Sequence, residues 1–234
     1  VPVTPSRTRA LGVDACKAGW VGILLADERL RCFFAATIAA VVAQAEADGP
    51  LAAVGVDMPI GLPDAGRRTA DVLAKQAIGP LRASVFMTPV RAALRASDHA
   101  TASALNSELA GEGVSQQAFA LRHKVFEVEE LLASTSARVV EVHPEASFAR
   151  MNGGPLRERK STWAGAEVRR LLLADQGIPL FGDLGTAGRS AGVDDVLDAA
   201  AAAWSARRVA TGQAVSLPDP PEAFSDGRPA AIWV

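Results

Sequence analysis

Leu11-Gly12-Val13-Asp14 and Val54-Gly55-Val56-Asp57 are two short apolar runs that end on the same three letters. Each reads as a β-strand closed by a carboxylate. Aspartate is depleted in strands and costly to desolvate, so its appearance twice in matching contexts calls for a compensating partner, and a divalent cation is the simplest one. Side chains alternate along a strand, so Gly12 shares a face with Asp14 and Gly55 with Asp57, and each glycine leaves space beside its acid. At either place alone, an aspartate capping a turn and a glycine admitting a close-packed helix would leave the same letters. A third acidic signal lies far downstream. Asp195 and Asp198 are three apart, hence on one helix face a turn apart, and the small apolar run Ala199 to Ala203 follows them. Helix capping accounts for Asp194 or Asp195, but not for Asp198 inside the helix before residues that read as core.

Working outward from the first run, Arg9 to Ala26 reads as strand, turn, strand, and a third strand is expected at Leu30 to Ala35. The links at Ala15 to Gly19 and Asp27 to Arg29 are too short for parallel crossovers, so these three strands form an antiparallel meander. An Ala-rich helix over Ile38 to Ala47 then crosses to the strand Leu51 to Asp57. The Pro- and Gly-bearing segment Met58 to Pro63 must be loop. From Asp64 to Ala133 the pattern is helical, with helices expected at Gly66 to Ile78, Ala100 to Leu109 and Ser115 to Leu132. A strand at Arg138 to His143 stops at Pro144, and helices follow near Glu145 to Arg150, Ser161 to Gln176 and Val193 to Ala210. Leu217 to Pro221 reads as loop and Ala231 to Val234 as a short edge strand. The expected fold is α/β, a mixed sheet of a three-strand antiparallel meander plus parallel strands flanked by helices, in a single domain over 1–234 with a helical insertion at about 64–136.

The chain has 234 residues, 49% of them hydrophobic, enough for one large core, and a formal net charge of -2 that excludes a generally basic nucleic-acid coat protein. Two cysteines, Cys16 and Cys32, make neither a disulfide framework nor a metal knuckle, which fits a reducing, cytoplasmic setting. No stretch is long and apolar enough to span a bilayer, and the segment Val1 to Arg9 has no apolar targeting core.

Strand-end and helix carboxylates together make a site of hard oxygen donors, which suits Mg2+ or Mn2+ rather than zinc. Such ions serve phosphodiester cleavage by activating water and stabilising the leaving oxygen, with no Ser or His nucleophile required. Strand-Asp, two more strands, a helix, a strand ending in a second Asp and a late helix bearing D-x-x-D-A resemble the RNase H-like fold, especially its RuvC-type resolvase branch. The stretches G-V-D-A-C-K-A-G-W (Gly12 to Trp20), V-D-M-P-I-G-L (Val56 to Leu62), S-V-F-M-T-P-V-R (Ser84 to Arg91), E-V-H-P-E-x-S-F (Glu141 to Phe148) and D-D-V-L-D-A (Asp194 to Ala199) are similar to an uncharacterised family of predicted RNase H-like nucleases, domain-of-unknown-function family 429, over nearly the whole chain. That resemblance implies metal-binding positions at Asp14, Asp57, Asp195 and Asp198. Ala15-Cys16 stands where the family pattern has Gly-Cys, which leaves the carboxylate in place.

Alternation puts Glu141 and His143 on one strand face, where a carboxylate beside an imidazole can complete a metal shell or handle a proton; a half-exposed strand running into a helix reads equally well. Basic residues gather after the Asp57 loop, including Arg82 and Arg91, and after the Glu141 strand, including Lys160. Arg82, Arg91 and Lys160 are the candidate substrate contacts, although such runs commonly line solvated helix faces. Aromatics are only 5% with no Tyr, which argues against a stacking platform for single strands. Gly154 to Ser161 has P-loop spacing, but Arg159 replaces a required glycine and no strand precedes it. The leading expectation is a metal-dependent phosphodiester hydrolase acting on a nucleic acid or nucleotide. A small-molecule phosphotransferase of actin-like type, and a non-catalytic binding module on the same fold, stay open, as does the choice between monomer and homodimer.

Overall fold

The computed structural model describes residues 8–26 and 29–234; the segment 1–7, and residues 27 and 28 of the second short link, lie outside the described residues. Strands β1 (Arg9–Cys16), β2 (Gly19–Ala26) and β3 (Arg29–Ala35) form the antiparallel meander. Helix α1 (Ile38–Glu46), capped by Thr37 Oγ1 accepting from Ala40 N at 3.3 Å, crosses over so that β4 (Ala53–Val56) pairs parallel to β1. Between β4 and β5 (Arg138–Glu141) the chain forms α2 (Thr69–Ile78), a 3-10 turn at Gly79–Ser84, α3 (Arg91–Leu94), α4 (His99–Ala110), α5 (Gln116–Ala120) and α6 (Arg122–Ser134). The single helix expected over Ser115 to Leu132 is broken in two. At the break the Phe119 carbonyl accepts from Arg122 Nη1 at 3.1 Å, and that guanidinium stacks over the Phe119 ring.

Beyond β5 come α7 (Pro144–Met151), α8 (Trp163–Asp175), α9 (Gly185–Ser190), which the sequence pattern did not suggest, α10 (Val193–Ala210), β6 (Ser216–Ala223) and β7 (Pro229–Trp233). The seven-stranded sheet runs β3-β2-β1-β4-β5-β7-β6. Two expectations are corrected here. The Pro-rich stretch Leu217 to Pro221 is strand, not loop: β6 lies at the sheet edge, where prolines need supply no outward donor, and its register shifts between Leu217 and Glu222. The C-terminal strand is not an edge, because β7 sits between β5 and β6. An antiparallel meander joined to parallel strands, with helices on both faces, is the RNase H-like arrangement.

Alternation divides the core between the two faces. Leu11, Val13, Val54 and Val56 pack with α1 and α6, through Ile38, Val41, Val125 and Val128. Val21 and Ile23 pack on the other side with Val196, Leu197 and Trp204 of α10 and with Phe148 and Leu173. The space left by the strand glycines belongs to α10. A Cβ on Gly12 would lie 1.9 Å from Ala203 N and 2.1 Å from Ala199 O, and one on Gly55 2.6 Å from Ala202 O. Ala199 to Ala203 are all fully buried, so helix backbone rests directly on strand backbone at this crossing.

Candidate metal centre

Gly12 pairs with Gly55 and Val13 with Val56, and Asp57 N donates to Val13 O at 3.1 Å. Adjacent parallel strands therefore deliver Asp14 and Asp57 at the same level, one strand spacing apart. The close crossing of α10 brings in the third acid. One carboxylate oxygen from each of Asp14, Asp57 and Asp198 lies within 4.8 Å of the others, and Asp14 and Asp198 are buried while Asp57 is half-buried.

Burial, then the neighbouring Asp57 and Asp198, holds the Asp14 carboxyl well above the usual carboxylate range. Burial pushes Asp57 and Asp198 up to about 7, in each case against the pull of the Lys160 ammonium. Asp198 Oδ1 is buried with no hydrogen-bond partner among the described residues, while Oδ2 accepts from Lys160 Nζ at 2.5 Å. Three hard donors in mutual reach, raised proton affinities and an unpartnered buried oxygen all describe acids short of positive charge. The triad fits a divalent cation.

Asp195 is not part of this triad. Its Oδ2 accepts from Gly192 N at 2.9 Å, an N-terminal cap of α10, yet it faces the same cavity as Asp194. That cavity, about 380 Å³, is lined by Asp14, Asp57, Lys160 and His143 among others. Burial drives the His143 imidazole down to about 4, so it is neutral at pH 7, and its Nδ1 is buried without a partner among the described residues. Glu141 also borders the cavity, but its carboxylate is fully engaged. It accepts from Arg68 Nη2 at 2.7 Å on both oxygens and from Ile60 N at 2.7 Å, anchoring the Met58 to Pro63 loop. Burial raises Glu141 to about 7, opposed by the Arg68 charge.

Of the three basic candidates, Lys160 alone reaches the centre. Arg91 Nη2 lies 2.8 Å from Glu129 Oε1 and 2.6 Å from Asp226 Oδ2, and Arg82 is exposed on the 3-10 turn. Two arginines of the same basic runs, expected at a substrate or on a solvated helix face, are instead buried supports of the site. Arg68 is fully buried against Glu141 and lies 3.5 Å from Asp71. Arg169 is fully buried against Glu145, with Nη2 at 2.7 Å from both carboxylate oxygens. The available signal was the pair of acids in E-V-H-P-E, each of which turned out to need a buried cation.

The family described as "Protein of unknown function (DUF429)" matches residues 12–223, which include every residue of the triad. No curated protein and no solved structure matches. Among the described residues, no helix is long and apolar enough to cross a membrane.

Proposed function

The chain belongs to the DUF429 family, and we propose that it is a divalent-metal-dependent phosphodiester hydrolase, a cytoplasmic nuclease acting on a nucleic acid or nucleotide. One observation carries this reading: three strand-end and helix carboxylates meet within 4.8 Å, with one buried oxygen of Asp198 left unpartnered among the described residues. Asp14, Asp57 and Asp198 would hold Mg2+ or Mn2+. Bound there, such an ion would polarise a water molecule and neutralise charge gathering on a phosphate. Asp194 and Asp195 line the same cavity and add negative charge at its rim. His143 is held neutral by burial, so it offers the cavity an uncharged ring and not a second positive charge. Met58, Val85, Phe86 and Leu121 supply an apolar wall that lowers the local dielectric and strengthens every charge contact beside it.

The test is cleavage of single- and double-stranded DNA, RNA and dinucleotides with and without Mg2+ or Mn2+. Metal-dependent cleavage that falls by more than about a hundredfold in Asp14→Asn and Asp198→Asn, with melting behaviour retained, is the expected outcome. Full activity in either variant, or in excess chelator, refutes it.

A further inference from the structure

Asp198 uses its two oxygens differently. Oδ2 accepts from Lys160 Nζ at 2.5 Å, whereas Oδ1 is buried and has no partner among the described residues. The same ammonium lies 3.8 Å from Asp194 Oδ2 and feels the charges of Asp57 and Asp14. Its side chain is 39% exposed, yet its ammonium is held by the acids of the centre.

The turn that carries it is built, not incidental. Arg169 Nη1 donates to Glu158 O at 3.0 Å and to Gly165 O at 2.7 Å, while its other nitrogens grip the buried Glu145. The Arg159 carbonyl accepts from Thr162 N at 3.0 Å and Thr162 Oγ1 at 2.8 Å. That carbonyl also sits 1.9 Å from where a Cβ on residue 165 would be, so only glycine there admits it. Two buried opposite charges, each costly to desolvate, are thus committed to fixing the backbone on both sides of Lys160.

We propose that the Lys160 ammonium is the resident second cation of the carboxylate centre, holding Asp198 Oδ2 and leaving room for one exchangeable divalent ion. The inference rests on the metal reading above and adds the ion count and what sets it. Within the triad, three negative charges are balanced by one divalent ion and one ammonium, while Asp194, 3.8 Å from the same ammonium, lies at the exposed rim. Paired-ion phosphodiesterase sites place their second ion about 4 Å from the first. Here a second divalent ion would have to displace a tethered charge or lie against it, a repulsion that the partly buried setting screens weakly.

Titration of the full chain with Mn2+, counting bound ions by electron paramagnetic resonance, tests this without reference to activity. Wild type is expected to bind one ion per chain, Lys160→Met two, and Lys160→Arg one. A count of one in folded Lys160→Met overturns the inference, as does a count of two in wild type, which decides the matter even if Lys160→Met does not fold. Both of those results leave the triad as a metal site. No Mn2+ bound to wild type at all would instead remove the metal reading, and this inference with it.

Discussion

Replacing Gly12 with alanine tests whether the strand glycines exist to let α10 carry Asp198 to the sheet. The added Cβ would meet Ala203 N at 1.9 Å and Ala199 O at 2.1 Å, both backbone atoms of α10 that no rotamer change can move aside. Restoring an ordinary contact of 3.4 Å requires the helix to retreat by the difference, about 1.5 Å, or the strand to buckle by as much. Overpacking of side chains costs about 1–3 kcal/mol, and a backbone clash at a fully buried crossing belongs at or above the top of that range. For a chain of this size about 3 kcal/mol lowers the melting temperature by about 6–12 °C. The same retreat carries Asp198 away from Asp14 and Asp57, so Mn2+ affinity, measured by isothermal titration, is expected to fall at least tenfold as well. Gly154→Ala is the matched control, because nothing lies within 4 Å of its Cβ position. A Gly12→Ala protein that melts within about 2 °C of wild type and binds Mn2+ as tightly would refute the claim that this crossing assembles the site.

Further predictions separate supporting residues from ligands and set the pH dependence. Glu141→Gln leaves the fully buried Arg68 without its main counter-charge, at a cost of about 3–5 kcal/mol, while Mn2+ affinity should change less than about threefold; a large loss of affinity with unchanged melting would make Glu141 a ligand. The triad acids all have folded pKa values raised above the unfolded 3.8, Asp57 and Asp198 to about 7, so through those two the metal-free native state holds more protons than the unfolded chain between about pH 4 and 7, and Asp14 acts in the same direction. Their contribution to metal-free stability is therefore greatest at low pH and declines as pH rises to about 7. Mg2+ or Mn2+ competes with those protons, so the rise in melting temperature on adding metal should be large at pH 7.5 and small at pH 5. His143 acts in the opposite sense, its neutral form favouring the fold above about 6.5 and losing that effect toward 4, so the comparison is made against Asp14→Asn/Asp198→Asn, whose melting should show no metal response at either pH. An unchanged metal response in that double variant would detach the pH effect from the triad.

Asp14, Asp57 and Asp198 were legible because each breaks a local rule: an acid ending an apolar strand, twice, and an acid inside a helix before a run of alanines. Asp195 satisfies a local rule as an N-terminal cap, and its sequence spacing from Asp198 could not tell a cap from a ligand. The glycines read either as space beside the acids or as room for a close-packed helix, and the structure realises the second, with the alanine run of α10 filling that room. The buried arginines were the least visible. Arg169 stands next to Arg170 on α8, where a basic pair reads as a solvated face, yet Arg170 pairs outward with Glu167 while Arg169 turns inward to Glu145. Such a division depends on how α8 is rotated against α7, a tertiary fact. The prolines of β6 misled for a similar reason, since edge and interior strands differ only in what lies beside them.

Anomalous diffraction from a crystal soaked in Mn2+ would locate any ion held by the three acids. The strongest peak should fall at about 2.2 Å from carboxylate oxygens of Asp14, Asp57 and Asp198 together. A triad with no peak, beside a well-occupied manganese site elsewhere on the molecule, would contradict the account.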